Sequence, residues 1–140
     1  MDPYKEKLIA GSLCSKKTPV RARVVAVMDG KLPRRGLRLI ISATRTLLQG
    51  QIHELIVTDE EDAAPGKTVN RIAYVCFFEL EKGGVVASGD RVVLQGETIG
   101  EIVGFDETHA PNHLNVVIKS SKRKSGKEMG VELGDRLIIG

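Results

Sequence analysis

The sequence predicts a mainly β protein: one β-barrel domain built of short, mostly antiparallel strands with little helix. Three observations predict it. Apolar residues recur with period two in runs short enough to be single strands. Turn residues separate those runs, and 15 Gly among 140 residues suit many tight reversals. No segment sustains a long apolar period of 3.6 residues, so the pattern points to a sheet that closes on itself. Closure also removes the unpaired edges that such apolar strands would otherwise expose.

Residues 1–18 read as an N-terminal arm and residues 19–140 as the barrel domain. Within the arm, Tyr4, Leu8, Ile9 and Leu13 fall on one face of a short helix that Gly11-Ser12 weakens. Pro19 opens the first strand, residues 20–28, in which Val20, Ala22, Val24, Ala26 and Met28 share a face and Asp29-Gly30 makes the turn. Lys31 to Gly36 form a basic loop before an apolar strand over residues 37–41. Residues 42–48 read as a helical turn or bend, and residues 51–58 as a strand. The acidic stretch Asp59-Glu60-Glu61-Asp62 with Pro65-Gly66 is a solvated loop.

Residues 69–80 are apolar on both faces, as in a strand covered from two sides, and Gly83-Gly84 breaks them. Two short strands follow around Gln95-Gly96. A polar segment from Asp106 to Asn115 then leads to Val116-Val117-Ile118, and a basic loop over residues 119–127 precedes the closing strand. One internal echo stands out: Gly89-Asp90-Arg91-Val92-Val93-Leu94 and Gly134-Asp135-Arg136-Leu137-Ile138-Ile139 share a Gly-Asp turn followed by an aliphatic run.

Composition narrows the functional classes. The chain has 41% hydrophobic and 28% charged residues, as soluble globular domains do. No run reaches the ~20 apolar residues of a membrane-spanning helix. Cys14 and Cys76 lie in neither CxxC nor metal-ligand spacing, which together with the absence of a signal sequence gives the expectation of a cytoplasmic protein with free thiols. No P-loop, dinucleotide-binding Gly motif, HExxH or GxSxG is present, so the sequence names neither a reaction nor a cofactor.

The best site is the polar segment itself, because a loop held up by strands is where binding residues gather. Asp106, Glu107, His109, Asn112, His113 and Asn115 are the candidate ligand-binding residues, for a small polar or anionic molecule. His109 and His113, with a nearby carboxylate, also make an N/O donor set that a transition metal accepts. The alternative is that these residues only shape a turn. His53 reads as a solvent-facing strand residue and Cys76 as an inert core thiol. A basic-loop alternative places nucleic acid against Lys122, Arg123 and Lys124. Against it stands the lack of interleaved aromatics on which bases could stack.

The order Gly89-Asp90-Arg91-Val92-Val93-Leu94, Thr98-Ile99-Gly100-Glu101-Ile102-Val103, a polar loop with His and Asn, then Leu114-Asn115-Val116-Val117-Ile118 and the late Gly-Asp-Arg strand resembles the glucitol/sorbitol-specific phosphotransferase IIA component, over residues 47–139. The resemblance implies a barrel. It carries over no functional residue; a phosphotransferase-type phosphocarrier using His109 or His113 stands as the alternative reading of the polar loop. Where such a carrier needs a nucleophilic His, near the end of the long strand, this chain has Tyr74-Val75-Cys76-Phe77-Phe78-Glu79.

Overall fold

A computed structural model describes residues 18–140. The N-terminal arm, its short helix and Cys14 therefore lie outside the described residues, Thr18 excepted. Twelve strands and one short helix follow in order: β1 (Val20–Val27), β2 (Lys31–Leu32), β3 (Leu37–Arg38), β4 (Thr44–Leu47), β5 (Ile52–Thr58), β6 (Thr68–Val69), β7 (Ile72–Lys82), β8 (Gly84–Ala87), β9 (Arg91–Leu94), β10 (Glu97–Asp106), β11 (Asn115–Lys119), α1 (Gly126–Met129) and β12 (Arg136–Ile139).

Seven of the strands close a barrel in the order β1-β12-β9-β10-β11-β5-β7, the last pairing back onto β1. Every pair in this ring is antiparallel except β11 with β5. The two Gly-Asp echoes become neighbours: β9 and β12 pair, Leu137 opposite Leu94. Their turns are built alike, Asp90 Oδ2 accepting from Ala87 N and Asp135 Oδ2 from Glu132 N, both at 2.9 Å.

Alternation along each strand divides the apolar residues into two layers. On β5, Leu55 and Val57 point into the barrel with Val24, Phe78, Phe105 and Val116, while Ile56 points outward. Outside, Ile56 meets Leu37, Leu39, Val69, Ile72 and Val117, so segments around β3 and β6 form a second layer over one flank. This explains the two-faced apolarity of β7. Each fully buried side chain of this size contributes about 1.5–3 kcal/mol. Cys76 lies in the inner cluster, and burial pushes its thiol up to about 12, which leaves it unreactive.

Several boundaries differ from expectation. Residues 42–48 hold no helical turn: β4 pairs antiparallel with β8, Thr44 opposite Ala87. The expected strand at 37–41 is ordered by β6 only at Leu37–Arg38. Part of the first basic loop, Lys31–Leu32, adds to β7. The second basic loop runs into α1, where Ser125 and Glu128 form a capping box and Ser125 Oγ donates to Asp29 Oδ1 at 2.8 Å.

Candidate functional site

The 106–115 loop joins β10 to β11 at one end of the barrel. Its ends belong to the strands, and register places Phe77, Glu54, Asn115 and Asp106 in one row across β7, β5, β11 and β10. The row continues the outward face that carries Ile56. Sequence reading missed Glu54, although period two sets it beside Ile52 and Ile56, an ionisable group in an apolar row.

Asp106 and Asn115 are buried. The Asp106 carboxylate accepts from Thr108 N (3.1 Å), Thr108 Oγ1 (2.8 Å) and Asn115 Nδ2 (3.0 Å). That is a turn held by its own Asp, so Asp106 shapes the loop. Glu107 instead turns outward to an ion pair with Arg45 on β4. The exposed Asn112 donates its backbone N–H to the His109 carbonyl at 2.8 Å.

His109 and His113 do come together, as stacked rings with centroids 4.9 Å apart. His113 also meets the edge of Phe77 at 5.1 Å and sets Nε2 3.5 Å from Glu54 Oε1. Among the described residues no group of three or more His, Cys, Asp or Glu side chains is arranged to hold a metal ion. The expected donor set of His109, His113 and a loop carboxylate is therefore not assembled: Asp106 is engaged within its turn and Glu107 with Arg45.

Glu54 is 4% exposed. Burial pushes its carboxyl up to about 7, opposed by the charge of Arg35. Burial lowers the basicity of His113, as does the charge of His109 beside it. Burial thus favours the uncharged acid at Glu54 below about pH 7 and the uncharged base at His113. Asn115 Oδ1 lies close enough to favour a protonated ring but outside hydrogen-bonding geometry, and neither it nor His113 Nε2 has a hydrogen-bond partner.

His53 is buried, contrary to the expected solvent-facing position. β5 runs beneath the loop, and Leu114 N donates to His53 Nδ1 at 2.9 Å. Gln51 Oε1 accepts from Leu48 N at 2.9 Å and lies 3.0 Å from His53 Nε2. These contacts fix the tautomer with hydrogen on Nε2. Burial first, then the charges of His113 and Arg45, keep this ring below the ordinary imidazole range.

Between β4 and the loop opens a cleft of about 300 Å³, lined among others by Arg45, Gln51, His53, Pro111 and His113. Its polar groups are mainly donors: the Gln51 amide, the Arg45 guanidinium and the His113 ring. Glu54 stands on the far side of His113 and does not line it. Of the basic-loop residues, Arg123 folds inward, its Nη1 donating to Ile72 O at 3.1 Å and its Nε lying 3.6 Å from Asp59. Lys122 and Lys124 of that trio remain exposed.

A family model covers residues 14–140, the whole barrel and part of the arm. The chain belongs to that family, described as "Family of unknown function (DUF6917)". No curated protein and no solved structure matches the chain. Among the described residues no helix is long and apolar enough to cross a membrane.

Proposed function

We propose that this barrel is a binding domain that holds a small oxyanion, a phosphate- or carboxylate-bearing molecule, in the cleft between β4 and the 106–115 loop. One observation carries the reading: Arg45, Gln51 and His113 bring hydrogen-bond donors to one concave site whose floor is the buried His53. Planar guanidinium forks suit oxyanions, and a few polar groups in a mostly preformed cleft are what small-ligand sites have. Within the loop, His113 is the ligand-facing residue, and Asp106 and Asn115 hold the backbone in place. The two cysteines, in no paired spacing, support a reducing cytoplasmic setting.

The test is thermal unfolding in the presence of sulfate, phosphate and small mono- and dicarboxylates. A ligand at about 100 times its Kd stabilises the folded state by about 2.7 kcal/mol, enough to raise the midpoint by several degrees. Arg45→Ala is expected to remove that rise while changing the unliganded stability by no more than about 1 kcal/mol, since its partner Glu107 is surface-exposed. A panel that leaves the wild type unmoved, or a rise that survives in Arg45→Ala, overturns the assignment.

A further inference from the structure

We infer that anion binding in this cleft is coupled to a proton relayed from Glu54 to His113, an inference that rests on the binding reading above. The geometry is a relay of three parts. His113 forms one wall of the cleft, Glu54 lies 3.5 Å from its Nε2 on the other side, and Phe77 packs its edge against the ring. Asn115 Oδ1 and His113 Nε2 are both buried without hydrogen-bond partners. A proton on Nε2 would supply the donor that Glu54 and Asn115 can accept from, completing the set.

The step balances as a simple transfer. The O–H bond of the Glu54 carboxyl breaks, an N–H bond forms at His113 Nε2, and a carboxylate remains beside an imidazolium. Positive charge spreads over both ring nitrogens, so a proton on the Glu54 side still presents a cation to the cleft. An oxyanion there favours the charge-separated pair over the neutral one.

The surrounding charges set the balance. Arg35 favours ionised Glu54, and His109 and His53 oppose charge on His113. Arg45 faces the same cleft and is offset by Glu107. Asp106 is occupied by Thr108 and Asn115, while the Cys76 thiol stays protonated through this range. Below about pH 7 Glu54 itself supplies the proton. Above that the proton must come from solvent, and affinity falls toward about tenfold per pH unit.

The experiment is an NMR titration of the His113 ring in the full chain, wild type against Glu54→Gln, with and without sulfate, which keeps its charge throughout. In the free proteins the two His113 inflections are expected to lie close together, because Glu54 holds its proton where His113 titrates. Sulfate is expected to raise the wild-type inflection by about half a pH unit or more, and by less in the variant. A sulfate-induced rise of equal size in the wild type and in Glu54→Gln would overturn the relay while leaving anion binding intact. A wild-type His113 curve that sulfate does not move, with no sulfate-induced shift of cleft resonances, would overturn the anion reading and its coupling together. If Glu54→Gln does not fold, Glu54→Asp, which withdraws the carboxyl from Nε2, provides the same comparison.

Discussion

Glu54→Gln is expected to raise the thermal unfolding midpoint by roughly 5–10 °C at pH 8.5 and to leave it nearly unchanged at pH 5. The sign follows from linkage. The folded-state carboxyl titrates at about 7 against an ordinary 4.5 in the unfolded chain, so the folded state holds the proton more tightly. Its stability contribution is present below 4.5 and lost as pH rises through 7. The loss has a ceiling of about 3 kcal/mol, the free energy of a shift of this size. Gln keeps the shape and removes the charge that burial penalises. His53 and His113 act in the opposite direction: their lowered basicity gives stability that is present above 6.5 and lost as pH falls. A midpoint gain of equal size at both pH values, or a loss at pH 8.5, would show that ionised Glu54 is well accommodated.

Gly126→Ala is expected to cost about 3 kcal/mol in urea denaturation, although Ala is the better helix former by about 1 kcal/mol. A β-carbon at this buried position would overlap the Val75 carbonyl oxygen and sit 3.0 Å from the Met28 oxygen. Both obstacles are backbone, held by the hydrogen bonds Met28 N to Val75 O and Lys127 N to Met28 O, each 3.0 Å, so neither can step aside cheaply. Val75 is the extra residue of a bulge on β7, where Leu55 pairs with Cys76 and Ile56 with Tyr74. Gly130 makes the comparison: its φ of 78° closes α1 and open space surrounds its α-carbon. Gly130→Ala should therefore cost only about 1 kcal/mol. If the two variants lose equal stability, close packing at Gly126 is not what matters there.

Much of the barrel was legible in the sequence because its strands carry their pattern locally. Val20, Ala22 and Val24 alternate with arginines and face inward as the period requires. The two Gly-Asp echoes begin adjacent strands. What stayed hidden depended on distant partners. Thr44-Arg45-Thr46-Leu47 has little apolar signal of its own and becomes a strand because β8 lies alongside. The same holds for the site. The loop was found from its composition, but the residues that give it chemical character, Glu54, His53 and Arg45, lie about 50 or more positions earlier in the chain. Parallel pairing of β5 with β11 brings Glu54 opposite Asn115, and nothing in either segment announces that neighbour.

The position of β12 also governs how the molecule can be made. β12 fills the gap between β1 and β9, with Val20 opposite Ile139. On a chain emerging from the ribosome β1 therefore precedes β12, the strand that seals this seam, by more than 100 residues. During this interval β1 and β9 each present an open ladder of amide groups, the kind of surface on which neighbouring chains associate. Long-range pairing of this sort places folding in the slow, millisecond-to-second regime of closed β topologies. Arg21 and Arg91, exposed along β1 and β9, put like charge on those waiting strands and so oppose their pairing with copies from other chains.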